Sequence, residues 1–262
     1  MSLPQPDHTP STAYFAAACC RNCGAVLHGP HCAQCGQKKA QRLGLGNLRS
    51  EAWEKLRLFE IDALQSALRL LTGPGRVAHE YVLGMRKRHT HPLKLLLLAI
   101  AVLLLVLAQT RYLDSADANV SKTLAVIRKY AEWSFSLGLA AVWLASMAVF
   151  RRWRGYNAAE HLVLALYTQF LIILANILNQ LPLLFLRAPG WLAWHRAWSG
   201  RYMDLIELAL VLLACTQFFQ LDLRRHWWRL ALAAAVFVLS KKLLIYLYSW
   251  LLVKLVLAKL IS

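Results

Sequence analysis

Four cysteines carry the clearest chemistry in this chain. Cys20-Arg-Asn-Cys23-Gly24 and Cys32-Ala-Gln-Cys35-Gly36 are two Cys-x-x-Cys-Gly knuckles eight residues apart. Each knuckle turns two thiolates toward one point, and the glycine permits the backbone turn that aims amide hydrogens at the sulfurs. Two knuckles complete a four-sulfur tetrahedral set with no open position. That is the pattern of a structural zinc site, one ion per chain, rather than a catalytic one. A stretch of roughly 20 residues buries too little to fold alone, so the metal is expected to hold it together. Cys19 is a spare thiol, and His28 and His31 are possible substitute ligands. Two disulfides or a redox dithiol are the competing readings; disulfides require an oxidising compartment rather than a cytosolic head.

A second set of polar residues lies in apolar surroundings. On a helix starting at Glu160, His161, Thr168, Gln169, Asn176, Asn179 and Gln180 share an arc of about 120° at ~100° per residue. Lipid cannot satisfy such a stripe, so it must face protein or water. Interhelical hydrogen bonding and a polar pathway both account for it. Asp204 and Glu207, with Lys241 and Lys242, are candidates to extend that pathway into a charged interior. Glu160 and His161 form a candidate acid/base pair at the membrane surface. More often such a pair is a helix-start Glu beside a satisfied His, with Asn157 as the cap.

The elements positioning these residues change character at His91–Pro92. Beyond it, hydrophobic blocks recur to the C-terminus. The chain is 58% hydrophobic with a mean hydropathy of +0.43, outside the range of ordinary soluble domains. Five spans are expected: Leu93–Leu113, Trp133–Phe150, Glu160–Leu186, Met203–Leu223 and Leu230 to about Val253. The longest blocks reach the ~20 residues needed to cross ~30 Å of hydrocarbon. The fold class is therefore an all-α integral membrane protein. Residues 1–18 read as a disordered N-terminus, 19–40 as a zinc ribbon, 41–92 as amphipathic connector helices and 93–262 as a transmembrane bundle. Within the connector, Leu48–Leu71 reads as one amphipathic helix. It either lies in the interface plane or packs on the end of the bundle. Lys241 and Lys242 fall midway along the last block, so either a continuous tilted helix carries them or a break lies before Leu243.

The net charge of +17 does not spread evenly. Arg86, Lys87, Arg88, then Arg151, Arg152, Arg154, then Arg224 and Arg225 flank the apolar blocks. This distribution fits anionic lipid headgroups and the positive-inside rule better than a nucleic-acid surface. It places the N-terminus and the Arg-rich links in the cytosol. Residues 187–202 are then an outer link, with Trp191, Trp194 and Trp198 as an interfacial belt. Met1–Thr12 lacks the basic start of a secretory signal.

Three stretches together resemble a group of bacterial zinc-ribbon membrane proteins catalogued as a domain of unknown function. They are Cys20 to Lys38, the run Pro74-Gly75-Arg76-Val77-Ala78-His79-Glu80-Tyr81 continuing to Arg88, and Tyr156 to Val163 with Pro92 between. Tyr167 stands where that group tends to carry a second His. The resemblance implies a multi-pass protein of the bacterial inner membrane and supplies no activity.

No nucleotide loop, catalytic triad or His-Glu-x-x-His motif occurs. Three function classes follow. The first is an oligomeric transport or permeation module for an ion or a small polar or lipid substrate. The second is a membrane adaptor whose ribbon recruits a cytosolic protein. The third is an intramembrane enzyme acting on lipid through Glu160 and His161.

Overall fold

The computed structural model describes residues 9–48, 62–110, 134–186 and 188–261. Residues 45–48 are helical, and nine further helices lie wholly within the described residues. They are α1 (Thr12–Ala16), α2 (Asp62–Thr72), α3 (Pro74–Val82), α4 (Pro92–Thr110), α5 (Ser134–Phe150), α6 (Ala158–Gln180), α7 (Pro182–Phe185), α8 (Pro189–Phe218) and α9 (Leu223–Ile261). No strand occurs among them; the knuckles contribute only isolated bridges, Cys19 with Val26 and His31 with Lys38.

Three stretches are long and apolar enough to cross a membrane: Pro92–Gln109, Ala158–Phe185 and Leu223–Lys254. Leu137–Phe150 is apolar but shorter, and residues 111–133, which include the expected start of that span, lie outside the described residues. The expected fourth span, Met203–Leu223, is not one of those three: its residues form the turn to α9 and the second half of α8, a 30-residue helix that ends at Phe218. Residues 189–202, expected as an outer link, are its first half. Pro189 starts it at a first-turn position, where a missing N–H costs nothing. Trp191, Trp194 and Trp198 then follow at helical spacing. Arg224 and Arg225, expected in a link, sit in the first turn of α9. The turn between α8 and α9 is shorter, because Gln220 adopts φ 49° and the Asp222 carboxylate accepts from the Arg224 N–H at 3.0 Å. From Leu223 the chain continues as one helix through Lys241 and Lys242, with a single kink at His226.

α6 is the central helix, packed against α3, α4, α5 and α8, while α9 packs on α5 and α8. Its start is fixed by a reciprocal cap. Asn157 Oδ1 accepts from Glu160 N at 3.0 Å, and Glu160 Oε2 accepts from Asn157 N at 2.7 Å.

The second connector helix, α3, is packed into the bundle. In α3, Pro74, Gly75, Val77, Ala78, His79, Tyr81 and Val82 are all buried, between α6 and α8. Gly75 makes this possible: a Cβ there would stand 2.2 Å from the Ala214 carbonyl oxygen. Its N–H donates to Gln217 Oε1 at 3.1 Å. α2 instead leaves Leu68 and Leu71 exposed while Ser66 and Leu70 are buried. Residues 49–61 of the expected connector helix lie outside the described residues. Thr12–Ala16, expected to be irregular, forms a helix because the Ser11 hydroxyl caps Tyr14 N at 3.1 Å and Phe15 is buried.

Candidate metal centre and its junction with the bundle

The two knuckles repeat one backbone pattern. Gly24 N donates to Cys20 O and Gly36 N to Cys32 O, each at 2.8 Å, with φ of 82° and 69° at the glycines. The sulfurs of Cys20, Cys23, Cys32 and Cys35 all lie within 4.8 Å of one another. Cys20 and Cys35 approach to 3.6 Å, Cys23 and Cys32 to 3.5 Å. Disulfide sulfurs sit at about 2.05 Å. Four sulfurs at ~2.3 Å from one ion stand about 3.8 Å apart, so this set fits a tetrahedral metal site. The Cys35 N–H holds the Cys32 thiol down to about 6. Cys23, although the Ala25 N–H draws it down, is pushed up to about 12 by burial and the neighbouring sulfurs. Four thiolates this close require a cation to coexist. Cys19, His28 and His31 stand outside the set.

The head is bolted to the bundle. Gln37 donates from Nε2 to Gly84 O at 2.7 Å and accepts from Lys87 N at 2.9 Å. Lys87 Nζ donates to Cys35 O, and Arg86, which is buried, donates to Gln41 O. The Gly-Gln-Lys tail of the second knuckle is thus read by the turn before the first span. Arg42 then reaches Glu160 through both carboxylate oxygens, at 3.0 and 3.2 Å, and donates to Gly155 O at 2.6 Å. Asn157 Nδ2 donates to Leu43 O at 2.8 Å. Glu160 therefore serves as cap and anchor for the head.

His161 is fully buried; its Nδ1 lies 3.1 Å from Ser146 Oγ. The rest of the stripe takes varied partners. Thr168 and Asn176 donate to carbonyls of their own helix, Leu164 O at 2.8 Å and Ile172 O at 2.9 Å. The Gln169 amide lies over Gly138 of α5. Asn179 Oδ1 takes Tyr202 OH and, at 3.1 Å, His195 Nε2. Gln180 Oε1 has no hydrogen-bond partner among the described residues. Lys241 Nζ bridges Asp204 Oδ1 at 2.8 Å and Glu207 Oε2 at 2.6 Å, whereas Lys242 is exposed.

The Arg-rich segments converge at the head end. Trp153 Nε1 donates to Phe219 O at 3.3 Å, Arg154 to Gln220, and Arg229 covers the Trp153 ring at 4.2 Å. Arg151, Arg152, Lys87, Arg88, Arg224 and Arg225 are exposed there. At the far end Trp191 stacks on Trp194, and Trp194 on Tyr202.

Sequence reasoning missed the histidines of the junction. His79 Nδ1 meets Tyr156 OH at 3.0 Å, its Nε2 meets Gln220 Nε2 at 3.3 Å, and His89 Nε2 meets Glu80 Oε2 at 2.8 Å. Burial, with the Arg154 charge second, takes His79 down to about 4. The His89 hydrogen bond is the main cause that lowers the Glu80 carboxyl. The available signal is three histidines and one glutamate packed into thirteen residues ahead of the first span.

No curated protein and no solved structure matches the chain. Residues 64–104, which hold α3, the Gly84 turn, the junction histidines and the start of the first span, match the family model described as a protein of unknown function, DUF3667.

Proposed function

We propose that this chain is a multi-pass protein of the bacterial inner membrane that holds one structural zinc ion. In this reading it serves, as an oligomer, to move an ion or a small polar or lipid substrate. The observation that carries it is the Lys241–Asp204–Glu207 bridge. Asp204 and Glu207 lie about 21 and 16 Å along α8 from its head-end terminus, within the depth of a ~30 Å hydrocarbon layer. Ionised groups at that depth are costly and mark pathways more often than scaffolding. The Asp204 side chain is 71% exposed, and a carboxylate cannot face lipid tails. Water or a second copy of the chain must meet it, which favours a hydrated, oligomeric interior.

Zinc is favoured for the metal because a closed four-thiolate set suits it. The convergence of exposed Arg and Lys at the head end supports a cytosolic head near anionic headgroups. A second reading, the adaptor, draws support from the undocked side of the head, where Val26 is 63% exposed beside exposed His28 and His31. Purified protein in liposomes, screened with protons, monovalent ions and a fluorescent lipid, separates the two. Flux of one species is expected; none for any species transfers the weight to the adaptor.

A further inference from the structure

The Arg-rich ends of α5 and α9 meet without an acid paired to them. Arg151, Arg152 and Arg154 follow the end of α5 at Phe150, and Arg224, Arg225 and Arg229 precede the apolar run of α9 from Leu230. The two stretches lock through Trp153, whose indole donates to Phe219 O at 3.3 Å and meets the His226 ring edge-on at 5.0 Å. Arg154 and Gln220, with φ of 50° and 49°, hydrogen-bond each other and pin the two turns. Of the guanidinium groups gathered here, only that of Arg154 has a hydrogen-bond acceptor among the described residues. Asp222, the one acid in this stretch, gives its Oδ1 to the Arg224 backbone N–H.

Arg229 is the most confined of them. Its guanidinium carbon lies 4.2 Å from the Trp153 ring centroid and 4.9 Å from that of Trp228, and its Nε is buried with no hydrogen-bond partner among the described residues. The rings fix the position of the charge and leave its N–H donors unmet. Such donors take the oxygens of a phosphate in pairs. Directly beside it, Trp228, Leu232, Ala235 and Leu239 recur at i, i+4, i+7 and i+11, one stripe of α9, and all four are exposed. That stripe runs about 16 Å along the helix axis, away from the head end. A fixed cation at the head of an exposed apolar track suits an amphiphile, whereas neither free phosphate nor nucleic acid would use the track. We propose that α5 and α9 hold one anionic phospholipid per chain, its phosphate on Arg229 and an acyl chain along the stripe from Trp228 to Leu239. The exposed Arg151, Arg152, Arg224 and Arg225 around it favour a headgroup of net negative charge. The site rests on the reading of the head end as the headgroup face and is independent of transport.

The test is native mass spectrometry of the full chain released from detergent micelles, titrated with phosphatidylglycerol and with phosphatidylcholine of the same acyl chains. One phosphatidylglycerol should stay bound per chain in preference to phosphatidylcholine. Arg229→Gln should weaken it about tenfold, the scale of a charge-assisted hydrogen-bonded contact. Arg201→Gln removes an Arg held 4.9 Å over Trp198 at the far end and should leave that lipid in place. Phosphatidylglycerol with a photoactivatable acyl chain should cross-link to α9 between Trp228 and Leu239. Equal retention of the two lipids, unchanged binding in Arg229→Gln, cross-links only on other helices, or displacement of the lipid by glycerophosphoglycerol or a short RNA would each overturn the proposal. Should Arg229→Gln fail to fold, the lipid preference and the cross-link position of the wild type decide alone. A wild type that enters neither micelles nor bilayers would instead sink the membrane reading beneath it.

Discussion

Gln37 fastens the metal-binding head to the turn before the first span with a single amide, occupied as donor and acceptor. Each such bond contributes about 0.5–1.5 kcal/mol net, and an unmet buried carbonyl costs more. Gln37→Ala should therefore destabilise the protein by about 1–3 kcal/mol, lowering its thermal midpoint while the metal stays bound. An unchanged midpoint would remove Gln37 from the docking account. Cys20→Ser with Cys23→Ser should instead lose about one metal ion per chain by elemental analysis; full retention would sink the metal assignment. His79 gives the junction a pH dependence. In the unfolded chain it takes a proton near 6.5, but in the fold only near 4. Between those values the unfolded state binds more protons, so stability rises with pH and is lost as pH falls from about 6.5 to 4. Thermal midpoints measured across that window should show the loss, and His79→Gln should reduce it. Glu80 acts lower, stabilising above its ordinary 4.5 and losing that contribution as pH falls through its depressed value.

Among the elements, α3 is the one whose position depends most on one residue. Gly75→Ala would drive a methyl into the backbone of α8 at Ala214. Overpacking of this kind costs about 1–3 kcal/mol, and separating the helices also breaks the contacts of His79 with Tyr156 and Gln220. The predicted result is a lower midpoint with the metal retained; wild-type stability would mean that α3 does not seat on α8. The sequence exposes local devices such as the knuckles and the Asn157/Glu160 cap, because all their parts lie within a few residues. It does not expose the burial of α3, whose composition is balanced between polar and apolar. Nor does it expose the Arg42–Glu160 pair, 118 residues apart. The helicity of the first half of α8 is hidden in the sequence because Arg196, Arg201 and two glycines dilute its apolar signal. A polar stretch that extends a helix past its apolar zone has the composition of a link.

At the scale of the whole molecule, α6 organises the bundle and the head closes one end of it. The facing of Lys241 by Asp204 and Glu207 was legible as a set of residue types, since three ionisable groups in apolar blocks need each other. Their pairing required the helices to be placed. The central claim is that this bridge serves movement across the membrane. Its most direct test is flux through the purified protein in liposomes, comparing the wild type with Lys241→Met/Glu207→Met, a change that removes opposite charges together. The account predicts flux of at least one species in the wild type and its loss in the double variant, with metal content and thermal midpoint retained. Equal flux through both proteins, or none through the wild type, would contradict it.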